Sequence, residues 1–223
     1  MLAAALCSAP AAVPEPDPIY LRFEVFGGPG LHFLTLQVSV EQSSGRYALA
    51  ADAETRNLVD LFLDLHTRID YAADGAVTAE ATPPSAGPVT PVSPAQMRGT
   101  VDQLTAYLEL ARHLATRGSC ALALAVFDGR RRYDLSFTDV APEALPDFTG
   151  PLQVCEMWRR RVAGFPIDRG GDQRTDEGKL WFARLIPADF MIPVRMEFGS
   201  EFGAVTANLT ELRGRGAALK FPE

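Results

Sequence analysis

The chain has 223 residues, 47% of them apolar and 22% charged, and a formal net charge of −7. This is enough for one full hydrophobic core and short for two, and with a composition near the globular average neither a disordered chain nor a membrane bundle is the starting expectation. The acidic balance speaks against nucleic acid or an anionic bilayer as partner, because each selects a basic surface.

The first residues, MLAAALCSAPAA, are apolar and uncharged and place Ala9 and Ala11 at the spacing a signal peptidase prefers. Residues 1–12 therefore read as a signal-peptide-like segment, and the protein as exported, soluble and periplasmic. Cys7 is preceded by the bulky Leu6, where a lipoprotein signal has a small residue. No later stretch holds the roughly 20 consecutive apolar residues a transmembrane helix needs. With Cys7 removed, Cys120 and Cys155 remain, an even count suited to an oxidising compartment. A disulfide between them is the expectation, with two buried thiols as the alternative.

Residues 13–212 read as a single β domain. Ile19 to Phe26 alternates apolar and polar, Gly27-Gly28-Pro29-Gly30 turns the chain, and Leu34, Leu36, Val38 and Val40 point inward on a second strand. Ser43-Ser44-Gly45 turns into a third run, Tyr47 to Thr55. Leu58 to Tyr71 fits both periods and is assigned strand. Ala73-Asp74-Gly75 leads to a short strand at Val77 to Ala81, and the prolines at 83, 84, 88, 91 and 94 predict an extended surface crossover.

One helix is signalled. Thr100 and Gln103 form a T-x-x-Q capping box, Gly118 stands at a stop position, and Leu104, Tyr107, Leu108, Ala111, Leu114 and Ala115 make an apolar stripe opposite Glu109, Arg112 and Arg117. Asp128-Gly129 then predicts a two-residue hairpin that pairs Phe127 with Arg130, Leu124 with Tyr133, Leu122 with Leu135 and Cys120 with Phe137. Further strands are expected at Leu152 to Phe165, Lys179 to Ile186, Val194 to Phe198 and Ala204 to Leu212. Pro166 to Gly178 reads as a polar loop, and residues 213–223 as a frayed tail. Some ten strands are too many for a flat twisted sheet, and one helix is too little to cover it. The predicted fold is a mainly β, curved antiparallel sheet or incomplete barrel with the amphipathic helix packed on its concave face.

The succession TVDQLTAYLELARHLA, SCALALAVFDGRRRYDLSF, VCEMWRRRVAGF and LWFARLIPADFMIPVRMEF resembles the bacterial domain-of-unknown-function 3108 family of exported proteins. The likeness runs from Tyr20 to Leu212. It implies an envelope β protein without an established activity.

There is no G-x-S-x-G, and GSEFG at 199–203 misplaces its serine. His32, His66 and His113 are scattered without a metal-ligand pattern, Gly27, Gly28 and Gly30 precede a strand and not a helix, and Asp168, Asp172 and Asp176 lack the spacing of a calcium loop. No cofactor, metal or catalytic residue is assigned. The triplets Arg130-Arg131-Arg132 and Arg159-Arg160-Arg161 are candidate contacts for an anion, weighed against arginine stems covering alanines and pairing with Asp128, Asp134 and Glu156. Leu104, Tyr107, Leu108, Leu114, Trp158 and Trp181 are the candidate lining of a groove between helix and sheet. Three readings follow. The first is a non-catalytic module binding a lipid or other apolar envelope ligand, the second an assembly factor docking an envelope protein, and the third an enzyme with an unrecognised site.

Overall fold

The computed structural model describes residues 17–28, 30–43, 46–55, 66–71, 77–82, 91–165, 175–200 and 203–222. The signal-like start, residues 58–65, Ala73-Asp74-Gly75, Asp168 and Asp172 lie outside them. Among the described residues one twelve-stranded sheet dominates: β1 (Ile19–Gly27), β2 (Leu31–Ser43), β3 (Arg46–Thr55), β4 (His66–Tyr71), β5 (Val77–Thr82), β6 (Leu122–Phe127), β7 (Arg132–Asp139), β8 (Gln153–Ala163), β9 (Thr175–Ala183), β10 (Ile192–Ser200), β11 (Gly203–Gly214) and β12 (Ala217–Lys220). Among the described residues two helices precede β6, the single turn α1 (Pro94–Met97) and α2 (Gln103–Arg117). Every strand pair is antiparallel, in the order β5-β4-β3-β2-β1-β11-β10-β9-β8-β7-β6, with β12 beside β11.

The sheet curls around α2. The hydroxyl of Tyr47 on β3 reaches Thr105 at 3.5 Å, while Tyr133 on β7 donates to Gln103 at 3.1 Å and Tyr107 reaches the Met157 sulfur on β8 at 3.7 Å. In a flat sheet β3 and β7 would lie about 34 Å apart at ~4.8 Å per strand, and a helix only about 10–12 Å across would touch one of them. Here residues of a single helical turn touch both. Ala106, Leu108, Leu110, Ala111 and Leu114 are buried against Phe23, Leu49, Leu135, Met157 and Leu180 in one core. The sheet stays open, because β5 and β6 pair with one neighbour each. At the β6 edge Val101 forms a parallel bridge, accepting from Phe127 and donating to Ala125, both at 2.9 Å.

Several sequence expectations need correction. The helix is capped by Asp102, whose carboxylate accepts from the Thr105 amide at 2.7 Å, while the Thr100 hydroxyl turns back to Met97. Val101 is held in the β6 bridge, so the helix cannot begin before it. Gly118 does end it, at φ 68° with its N–H on Leu114. The proline-rich crossover includes one helical turn, α1, capped by Ser93 with Gln96, because Pro94 costs nothing at a first helical position.

The hairpin after β6 is wider than a two-residue turn, since Phe127 pairs with Arg132, Val126 with Tyr133, Leu124 with Leu135 and Leu122 with Phe137. The Asp128 carboxylate accepts from the amides of Arg130 (3.0 Å) and Arg131 (2.6 Å), and these two hydrogen bonds hold a four-residue loop open. A slip of two leaves the inward face unchanged. β9 begins at Thr175, so Asp176 to Gly178 are strand and not loop.

The tail beyond Leu212 does not fray. Gly214, Arg215 and Gly216 turn at positive φ, and β12 then pairs Leu219 with Leu212. Arg215, ion-paired to Asp189, and Phe221, stacked on Phe148, fasten it.

Candidate functional site

Side chains of the helix fill most of the space expected as a groove between helix and sheet. Leu108 and Leu114 are buried, and Leu104 packs against the same core. Trp158 and Trp181 do not face it. Trp158 pairs with Ser136 and Glu177, one residue from the helix-facing Met157, so it points to the outer face. Trp181 shares that outer face. It is buried beneath the cations of Lys179 and Arg195, at 5.2 and 5.7 Å from its ring, and its indole N–H has no hydrogen-bond partner among the described residues.

The arginine triplets do not form one patch, because strand alternation divides them. Arg132 and Arg160 both pair with Asp134 on the outer face. Arg159 and Arg161 point inward and share Asp176, at 2.7 and 3.0 Å. Arg131 lies 5.7 Å from the Phe165 ring, and Arg130 sits in the hairpin loop. Burial opposes ionisation of Asp176, but the two arginines overcome it and hold the carboxyl below its ordinary range. With Gln103, Tyr107, Tyr133, Met157 and Phe198 this cluster borders a cavity of about 200 Å³, and burial pushes the Tyr107 phenol up. The acid is neutralised and no nucleophile stands beside it. The place reads as a polar seam of the core.

A larger opening lies at the other end of α2, beside the disulfide. Cys120 and Cys155 are joined, with Cα atoms 5.7 Å apart. The Asp139 carboxylate accepts from the Ser119 hydroxyl at 2.6 Å and the Cys120 amide at 2.8 Å, and these two bonds hold it below its usual range. The bridge, Asp139 and Gln153, which donates to the Gly118 carbonyl at 2.8 Å, pin the helix exit to the sheet.

Beside this pin Leu114, Val140, Pro142, Leu152, Val154 and Met191 line a cleft of about 590 Å³. Its far wall is the 184–191 segment. Met191 donates from its backbone to Ala111 at 3.1 Å, and Arg184 donates to the Ala115 and Asp189 carbonyls at 3.2 and 2.9 Å. Of the expected groove residues only Leu114 borders this cleft. Sequence reading missed Val140, Pro142, Leu152 and Met191, whose signal was apolar side chains standing in connections and not in strands.

The family of the chain follows from a comparison. The model described as "Protein of unknown function (DUF3108)" matches residues 62–210. The chain belongs to that family. No curated protein matches it. Among solved structures it is similar to a beta-barrel-like protein of the domain of unknown function DUF1849 from Brucella abortus, at 12% identity and a TM-score of 0.41 over 91% of this chain and 99% of that one. A second is a putative outer membrane lipoprotein-sorting protein domain from Vibrio parahaemolyticus, at 11% identity and a TM-score of 0.30 over 91% and 86%. Among the described residues no helix is long and apolar enough to cross a membrane, and no group of three or more His, Cys, Asp or Glu side chains could hold a metal.

Proposed function

We propose that this family member is an exported, non-catalytic periplasmic module that binds an apolar envelope ligand in the cleft beside the disulfide. The observation that carries the reading is the cleft itself. Its volume of about 590 Å³ falls within the roughly 300–1,000 Å³ of small-molecule sites. Its lining is mainly apolar, with a few polar groups at fixed places, and its wall is braced by a disulfide and by backbone bonds to the helix.

Leu108 is buried in the core, and the space left between helix and sheet, about 200 Å³, is bordered by Gln103, Tyr107 and the ion-paired Arg159 and Asp176 and not by Leu108. For that reason Leu108→Trp would overpack the core and would not narrow a site. The discriminating substitution is Val140→Trp, at a partly buried position on the cleft wall. The test is titration of delipidated protein with a dansylated undecanoic acid, followed by fluorescence. Saturable binding, weakened at least tenfold by Val140→Trp in a protein of unchanged melting temperature, supports the reading. No saturable binding, or binding indifferent to Val140→Trp, removes it and leaves docking of a protein partner as the better account.

A further inference from the structure

Next to the apolar cleft lies a second basin, about 380 Å³, bordered by Gln42, Arg112, Ala115, Thr116, Ala188, Asp189, Phe190 and two further arginines, Arg184 and Arg215. The two basins share Ala115 and Arg184, so they adjoin and make a two-part depression around the end of α2. We infer that the depression takes an anionic single-chain amphiphile, with the alkyl chain in the apolar cleft and the phosphate or carboxylate head among Arg112, Arg184 and Arg215. This rests on the apolar-binding reading above and names the ligand class.

The charge distribution carries the argument. In a chain of net charge −7, the second basin is lined by three guanidinium groups and one carboxylate, Asp189. Asp189 is committed to Arg215, in an ion pair whose side chains are only 10% and 12% exposed. Arg215 also donates to Gln42 and to the Asp17 carbonyl, both at 3.3 Å, so it is held in place at the floor of the basin. Arg112 is stacked on Tyr47 at 4.7 Å and pairs loosely with Glu109 at 3.3 Å.

Arg184 stands between the basins, exposed, with carbonyl acceptors for two of its N–H groups and no carboxylate in ion-pair reach among the described residues. The C-terminal end of a helix repels anions, and the Arg184 bond to the Ala115 carbonyl offsets that repulsion where a head group would sit. Asp139, the acid bordering the apolar cleft, is spent on Ser119, the Cys120 amide and Gln153. A guanidinium with donors to spare beside an apolar cleft suits a charged head carried on a chain.

The test is calorimetric titration of the delipidated full chain with dodecyl phosphate, dodecanoate and neutral 1-monododecanoylglycerol, on wild type, Arg184→Gln and Arg112→Gln. In wild type the two anions should bind about tenfold more tightly than the neutral ligand at low salt. Arg184→Gln should remove most of that preference and Arg112→Gln a part of it, and Arg112→Gln, which lies outside the apolar cleft, should leave binding of the neutral ligand unchanged. Inorganic phosphate at millimolar concentration should displace none of the three. Equal affinity for anionic and neutral ligands, or a preference that survives Arg184→Gln, overturns the head-group assignment and leaves the apolar cleft standing. Displacement by inorganic phosphate alone would make the basin a free-anion site and likewise overturns the assignment. No binding of any amphiphile removes both readings.

Discussion

Asp176 is the charged group whose removal tests the interior most directly. Its carboxylate, 18% exposed, is shared by Arg159 and Arg161, themselves 29% and 21% exposed, so Asp176→Asn keeps the volume and leaves two guanidinium groups facing each other. Breaking a fully buried pair costs about 3–5 kcal/mol. The residual exposure of all three groups lowers the expected cost to about 2 kcal/mol, or a melting temperature lower by about 4–8 °C in a chain of this size.

The pH dependence has a fixed sign. The carboxyl is held below its ordinary range in the fold, so its contribution is fully present above the unfolded-state pKa of about 3.9. It is lost as pH falls through the folded value. Urea unfolding of wild type and Asp176→Asn at pH 7 and again near pH 3 should therefore give curves well separated at the first pH and drawn together at the second. A variant as stable as wild type at pH 7, or a deficit that stays constant down to pH 3, would refute the ion-pair account.

Further outcomes are expected at two turns, one helix cap and the disulfide. Gly164 turns at φ 83°, and a Cβ there would stand 2.2 Å from the Arg130 carbonyl oxygen, so Gly164→Ala should cost more than about 2 kcal/mol by chemical denaturation. At Gly129, φ 89° with open space around it, Gly129→Val should cost only about 1 kcal/mol. Asp102→Ala should lower stability by about 1 kcal/mol while Thr100→Ala lowers it less, since Asp102 is the cap that accepts from Thr105. Non-reduced peptide mapping should recover Cys120 linked to Cys155. Replacing both by serine should cost up to about 4 kcal/mol on the chain-entropy estimate, read as a lower urea midpoint.

What could be read from the sequence was what depends on neighbours along the chain. Alternation marked β1 and β2, and because alternation has period two, even the misjudged hairpin after β6 kept its faces. The left-handed exit at Gly118 and the pairing of the only two cysteines outside the leader-like segment were equally local or arithmetic. What escaped needed partners far away. Val101 moves the helix start because it bridges β6, and Asp176 becomes part of a strand because Arg159 and Arg161 await it on β8. Arg215 converts a Gly-rich tail into a turn because Asp189 lies beneath it. The cleft was hidden for the same reason, since its walls come from α2, the connection after β7 and the segment between β9 and β10, none of which announces the others.

The seam between β1 and β11 has a kinetic consequence. Strands β1 to β5 form one meander and β6 to β12 another, each made of pairings between successive strands, but the middle of the sheet joins Tyr20 to Arg213 and Gly27 to Val205. That seam closes a loop of nearly the whole chain, so its entropy must be lost before its contacts repay it. A nascent or truncated chain lacking residues beyond 203 holds two meanders with bare inner edges, each a template for another chain. Refolding from urea should accordingly show the two halves protecting their amides early. Protection of the β1 and β11 amides that bond across the seam should arrive last and together, with aggregation competing during the interval between.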